Sequence, residues 1–443
     1  MTEPGRPVTV AVVGAGDRGS TYTAWVHAHP DRARLVAVAE PSVSRRHRLV
    51  AGAAGVREYA DWRDMVAEGR VADMVIIATL DSEHLEPARA FSDAGYHILL
   101  EKPMAPTAEE CRQLVDHVAQ RDVLFGVCHV LRYTPYSDVL TGVLGSGVLG
   151  QLLSVDHVEP VGWWHMAHSY VRGKWRREDE SGPMLLTKSC HDLDWLRYVV
   201  GRPITRVASF GSLGHFRPEQ APPGAADRCL ECPLVDTCPY SAPRIYLDAL
   251  RTNGPVWPVS VVTDATDEAG VLEALRTGPY GACVYRGGND VVDHQVVSLA
   301  FEGGVTGSFT MIGPSEPGHR RTRIWGSHGS LEGDGTTVRV VDFRTGEQTV
   351  HVVDESGWNA ADGHGGGDSG VIAAFVHAVA TNDPSSVRSG AAESLETHLA
   401  VFAAEEARRT GRVVRIDLSA PAPGESMPGH APAGADEGAT AAQ

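Results

Sequence analysis

The run Val8-Thr9-Val10-Ala11-Val12-Val13-Gly14-Ala15-Gly16-Asp17-Arg18-Gly19 decides the fold. Its first six residues form a short, mostly β-branched stretch suited to a strand buried on both faces. The glycines that follow have the spacing of a turn that binds a dinucleotide as a helix opens. Gly14 makes the tight turn, Gly16 lets a pyrophosphate approach the backbone, and Gly19 allows close packing of helix on strand. Asp17 and Arg18 lie in the first helical turn, whose free N–H groups face an anion. Glycine spacing alone would equally serve a turn without a nucleotide. Glu40 adds the distinguishing context, because it ends the second strand, where a carboxylate accepts hydrogen bonds from both ribose hydroxyls. NAD is therefore favoured over NADP, although Arg45 and Arg46 stand close behind and suit a 2′-phosphate.

Outward from this run, apolar strands alternate with helical periods as far as His129. The strands read as Val8 to Val13, Leu35 to Ala39, Met74 to Thr79, His97 to Leu100 and Val123 to Cys128. One helix covers Glu83 to Ala94 and stops at Gly95, and another starts at Thr107 with Glu110 as its capping box. The pattern is that of a doubly wound parallel sheet. Beyond Tyr133 the runs Gln151 to Val158, Val296 to Phe301, Val305 to Thr310, Arg321 to Trp325 and Val338 to Phe343 are separated by turns containing glycine. They predict a mostly antiparallel sheet, with helices at Asp192 to Val200, Gly370 to Ala380 and Ala391 to Ala407 against one face. The fold class is α/β: an N-terminal Rossmann domain (1–130), then an α+β domain with an open sheet (131–417) and a disordered tail (418–443). Residues 215–288 read as a Cys- and Pro-rich insertion with only short periodic pieces.

The 443 residues carry 39 Lys+Arg against 56 Asp+Glu, a net charge of −17, which argues against nucleic-acid or anionic-membrane partners. No apolar window is long enough to span a bilayer, and the N-terminal residues lack the pattern of a signal peptide. A cytoplasmic, homo-oligomeric protein is the expectation.

The strand His97-Ile98-Leu99-Leu100 running into Glu101-Lys102-Pro103 resembles the Gfo/Idh/MocA family of sugar and cyclitol oxidoreductases. Arg132-Tyr133-Thr134-Pro135, Cys190-His191-Asp192-Leu193-Asp194 and Gly363-His364-Gly365-Gly366-Gly367-Asp368 resemble further motifs of that family. The resemblance implies a tightly held NAD(H) or NADP(H) and a carbohydrate or polyol between the two domains. Thr79, His84 and Glu101 then join Gly14, Gly16, Asp17, Arg18, Gly19, Glu40 and Lys102 as cofactor contacts, and Lys102 and His191 become the catalytic pair.

Lys102 stands at the carboxyl end of a parallel strand, where ligands of such sheets bind, and a partly desolvated lysine moves protons readily. His191 is placed to take a hydroxyl proton as hydride leaves the same carbon. One position departs from the family pattern: four residues before His191, where the family has an Asp, stands Thr187. Asp192 and Asp194 are the nearest acids, and Lys188 is suited to an anionic substituent. The segment 161–176 concentrates aromatics, histidines and cations, so Trp164, His165, His168, Arg172 and Trp175 are expected to line a sugar, with Lys188 and Asp194. A metal pair at His165 and His168 is a weaker alternative, since no further ligand stands near.

Cys229, Cys232 and Cys238 fall within ten residues, and three thiolates so close together favour a structural zinc. His215, Cys190, Cys283 and Asp236 are the conceivable fourth ligands, and an iron–sulfur cluster is the alternative. The leading activity is hydride transfer to or from a hydroxyl-bearing carbon of a sugar, sugar derivative or polyol. The alternative is a glycoside hydrolase that retains NAD, oxidises a hydroxyl transiently, eliminates the aglycone and re-reduces. A protein that binds the nucleotide without turnover is the third reading, which Lys102 argues against.

Overall fold

The computed structural model describes residues 6–354 and 364–418. The tail beyond Leu418 and Gly363 of the Gly-rich turn lie outside the described residues. The first sheet holds β1 (Val8–Val13), β2 (Ala33–Ala39), β3 (Arg57–Tyr59), β4 (Met74–Ile77), β5 (His97–Leu100) and β6 (Phe125–Val127). They are all parallel, in the order β3-β2-β1-β4-β5-β6. The order of connection reverses between β1 and β4, and ligands of such sheets bind outside the carboxyl ends of the strands at that switch point. The turns after β1, β4 and β5 carry Gly14, Thr79 and Lys102 to that edge.

Thr107 caps the helix Ala108–Val118 as expected, its hydroxyl oxygen accepting from the Glu110 N–H at 3.2 Å. The second half of the box differs: the Glu110 carboxylate accepts from the Thr107 hydroxyl at 2.8 Å. The helix expected over Glu83 to Ala94 is a short turn, Asp81–Glu83, followed by Leu85–Asp93.

The second sheet is mixed. It contains β7 (Leu152–Pro160), β8 (Ile204–Ser212), β9 (His294–Phe301), β10 (Thr306–Ile312), β11 (Arg321–Gly326), β12 (Gly329–Gly333), β13 (Thr337–Asp342), β14 (Gln348–Val352) and β15 (Val414–Arg415). Their order is β14-β13-β12-β11-β7-β10-β9-β8-β15, and only the β7–β10 pair is parallel. Val155, Val207, Val297, Leu299 and Phe309 pack one face against Leu193 and Leu196 of the helix Cys190–Val200 and against Val401 and Ala404 of the helix Ala391–Thr410. Apolar burial of this kind, about 25 cal/mol per Å², holds the layers together.

The helix Gly367–Thr381 corrects the expected layering. Val371, Ile372, Phe375 and Val376 pack with Val8, Val10 and Val12, so it covers the parallel sheet and not the second one. Gly126 of β6 permits this approach, since a Cβ there would stand 3.1 Å from the Phe375 ring. The insertion is also more ordered than its sequence implies. The helices Ala242–Asn253 and Glu268–Thr277 enclose a small core of Ala242, Ile245, Tyr246, Val259, Val271 and Leu275.

Candidate active site

Gly14 has φ +93°, and a Cβ on it would lie 2.4 Å from the Ala78 carbonyl oxygen; one on Gly19 would lie 2.0 Å from the Gly14 carbonyl oxygen. Gly16 is different, with nothing within 4 Å of its missing Cβ, and it precedes the helix Asp17–Ala28 with no side-chain cap. The open space and the uncapped N–H groups fit a pyrophosphate. Asp17 stands in the first turn of that helix. The Glu40 carboxylate is fixed at the end of β2 by the N–H groups of Ala15 (2.8 Å) and Ser42 (3.0 Å), each oxygen keeping a further acceptor site for a ribose hydroxyl. Thr79 is half-buried at the end of β4. These residues fit a dinucleotide.

Three of the expected cofactor contacts do other work. Arg18 donates to Glu101 at 2.8 Å and to Asp368 at 2.5 Å, so its guanidinium is a strut between the parallel sheet and the Gly-rich turn. Glu101 is buried under it and also accepts from the Tyr22 hydroxyl at 2.6 Å; burial opposes its charge, but Arg18 and that hydrogen bond hold its carboxyl below the ordinary range. His84 is fully buried and donates from Nδ1 to the Pro103 carbonyl at 2.7 Å, which fixes the backbone after Lys102.

Lys102 Nζ donates to the Thr187 carbonyl at 2.6 Å. The position where the family pattern has an acid therefore meets the lysine through its main chain, while the Thr187 hydroxyl turns to the Pro183 carbonyl at 3.3 Å. His191 is 3% exposed, and its Nδ1 is buried without a partner. Burial, and next the Lys102 charge, push its pKa well below the usual histidine range, so the ring is neutral at neutral pH. Its ring centroid lies 5.6 Å from that of His364, whose Nδ1 is 3.0 Å from Asp368. Sequence reasoning missed His364, Asp368, Arg320 and Glu159 as members of this constellation; the quoted Gly-rich turn was the available signal for the first two.

The acids beside His191 are committed. Asp192 accepts from Arg320 at 2.5 Å and faces His157 Nε2 at 3.2 Å; Asp194 is clasped by Arg132 through two 2.7 Å bonds and by the Thr397 hydroxyl at 3.0 Å. Asp194 is sealed from solvent and does not reach a sugar. Lys188 is paired with Glu159 at 3.1 Å, and Glu159 also meets Arg320 at 3.1 Å, so the lysine's charge is already balanced.

The aromatic segment divides in two. Trp164 and His165 are half-buried beside Trp257 of the insertion, at 5.3 and 5.2 Å between centroids. Trp175 Nε1 donates to Asp81 at 3.0 Å, joining this loop to the edge of the first sheet. His168 and Arg172 are corrections: both are 2% exposed and serve the insertion, not a sugar. His168 Nδ1 lies 2.9 Å from the Tyr246 hydroxyl and its ring stacks on Tyr280, while Arg172 donates to the Ala282 and Tyr240 carbonyls at 2.8 and 2.7 Å. The expected zinc centre is a further correction. Among the described residues no three His, Cys, Asp or Glu side chains gather closely enough to hold one metal ion.

Residues 8–129 match an oxidoreductase family described by its NAD-binding Rossmann fold, and residues 142–420 match the same family's C-terminal alpha/beta domain. The chain belongs to the Gfo/Idh/MocA oxidoreductase family. It is 30% identical over 224 residues to inositol 2-dehydrogenase 4 of Saccharopolyspora erythraea, a match covering 50% of this chain and 62% of that protein. Over 216 residues it is 24% identical to the 2,7-anhydro-N-acetylneuraminate hydratase of Escherichia coli, covering 48% of this chain and 55% of that protein. The fold is shared with levoglucosan dehydrogenase in complex with NADH and levoglucosan, at TM-score 0.66 and 19% identity over 93% of this chain and 100% of that one. Among the described residues of this family member no helix is long and apolar enough to cross a membrane.

Proposed function

We propose that this family member is an NAD-dependent oxidoreductase acting on a hydroxyl of a sugar, sugar derivative or polyol. The observation that carries this reading is the convergence of Lys102, anchored on Thr187, with a buried neutral His191 whose Nδ1 has no partner, beside a glycine cradle open at Gly16. Gly14, Gly16 and the first turn of the helix hold the pyrophosphate, and Glu40 the adenine-side ribose, selecting NAD. Bound NAD supplies hydride acceptance or donation at its nicotinamide ring. Lys102 donates a hydrogen bond to the reacting oxygen, and His191 Nδ1 takes the proton as the carbonyl forms. The developing alkoxide offsets the Lys102 charge that otherwise opposes protonation of the imidazole. Trp164 and His165 present the aromatic surface that a sugar ring packs on.

A second reading, the NAD-retaining glycoside hydrolase, draws support from the missing carboxylate at Thr187 and from a relative named as a hydratase. Incubating the protein with polyols, free sugars and aryl glycosides, with and without NAD⁺, separates the two. Stoichiometric NADH supports the dehydrogenase, aglycone released without net NADH supports the hydrolase, and neither product across the panel overturns both.

A further inference from the structure

Cys229, Cys232, Cys238 and Cys283 line a single pocket of about 250 Å³ together with Pro222, Leu234 and Val235. The fold brings Cys283 to the other three across a long stretch of chain: Arg228 bridges Ala282 in antiparallel register, and the Cys283 N–H donates to the Asp227 carbonyl at 2.9 Å. Arg172 fastens every thiol-bearing segment at once. It donates to Ala282 beside Cys283 and to Tyr240 beyond Cys238, and its Nη2 stands 3.4 Å from Cys229 Sγ.

Arg172 is also the second, independent pointer to a ligand. It is 2% exposed, its Nη1 is buried without a partner, and no carboxylate among the described residues lies within ion-pair distance. A buried, unpaired guanidinium is costly unless an anion stands beside it. Four neutral thiols are not an anion, whereas a metal centre ligated by four thiolates is a net one.

The size of the cage selects the centre. Four sulfurs bound to one zinc at about 2.3 Å lie about 3.8 Å apart. Among the described residues no three donors converge on one point to share a single ion, whereas a cluster presents a separate iron to each thiolate. A core of several atoms fits. We infer that Cys229, Cys232, Cys238 and Cys283 ligate a [4Fe–4S] cluster, with Arg172 as its buried counter-cation. The cluster joins the insertion to the segment that also carries Trp164 and His165, and so has an architectural role independent of the hydride-transfer reading.

The test uses the full chain, purified anaerobically and reconstituted with ferrous iron and sulfide under reducing conditions. Expected are about four iron and four sulfide per chain with a brown chromophore. Cys283→Ser should lose the cluster, whereas Cys111→Ser, a thiol buried in the core of the other sheet, should keep it. If Cys283→Ser does not fold, alkylation of the unmutated protein decides. Cys232 and Cys238, the partly exposed pair, should react in the metal-free chain and be protected after loading. One zinc per chain with no uptake of iron and sulfide, no metal at all, or a cluster that survives in folded Cys283→Ser would each overturn the assignment.

Discussion

Arg132 and Arg172 are both nearly sealed from solvent, 1% and 2% exposed, and they are satisfied in opposite ways. Arg132, between the two sheets, forks onto Asp194 with two 2.7 Å bonds, and Thr397 completes the carboxylate's partners. Arg172, at the insertion, finds two neutral carbonyls and one thiol and leaves a nitrogen unpartnered. The first is a charge pair finished from within the chain. The second has the geometry of a place finished by something bound, since proteins rarely bury a cation without an anion. Burial alone thus says little about a cation's role; the identity of its partners does.

The largest expected effect sharpens this contrast. Asp194→Asn leaves Arg132 charged and uncompensated in the interior and should cost about 3–5 kcal/mol of stability, read from urea denaturation. Arg172→Met in the metal-free protein removes a cation that has no ion pair and exposes two carbonyls to loss of their donor, an expected cost of only about 1–2 kcal/mol. Equal costs for the two variants would abolish the distinction. Next in size is Lys102→Met, which should lower turnover by about 10² or more while leaving the melting temperature and NAD(H) binding nearly unchanged. Turnover within threefold of the unmutated protein would reduce Lys102 to scaffolding.

The same contrast explains what was legible in the sequence. The glycine run and the strand ending at Lys102 are local patterns, each fixed by a few neighbouring residues, and the parallel sheet follows from them. β12, Gly329–Gly333, contains one apolar side chain, Leu331, and carries too little period to read as a strand. Arg172 and His168 look in sequence like sugar ligands, because a pocket for a pyranose and a docking face for an insertion draw on the same aromatic and cationic side chains. Only the fold shows that Tyr240, Tyr246 and Tyr280 cover them. Cys283 could be named only as one of several possible ligands, since its closeness to Cys229 depends on the Arg228–Ala282 bridge and not on spacing.

Acid should act on both regions alike. His129, 3.6 Å from Asp194, and His168, under Tyr280, are each pushed down to about 3, chiefly by burial. A folded-state pKa below the unfolded value of about 6.5 means that the unfolded chain binds more protons between those limits. The stabilisation is therefore complete above about pH 6.5 and is lost as the pH falls toward 3, at about 1.4 kcal/mol per pH unit for each histidine. Denaturation midpoints measured from pH 7 to about pH 5 should decline, and His129→Gln should flatten part of that decline. An unchanged slope in a folded His129→Gln would show that this ring titrates normally.

The smallest effect concerns a carboxylate that, like Asp194, is held by donors, but by backbone N–H groups and not by a cation. Glu40 is clasped by Ala15 and Ser42, and the neighbouring Arg46 is drawn away to Glu58 at 3.3 Å and to the Glu40 carbonyl. Among the described residues no guanidinium pairs with the carboxylate, which is left facing whatever occupies the end of β2. A ribose 2′-hydroxyl can donate to it, whereas a 2′-phosphate is repelled. Calorimetry should find NAD(H) bound more tightly than NADP(H), and Glu40→Ala should narrow the gap by about three- to tenfold, roughly 1 kcal/mol. Part of that change will be a general loosening, because the Ala15 N–H at the cradle loses its acceptor, so both affinities should fall while NADPH falls less. NADPH binding as tightly as NADH to the unmutated protein would mean that Arg45, exposed on the following helix, overrides the carboxylate.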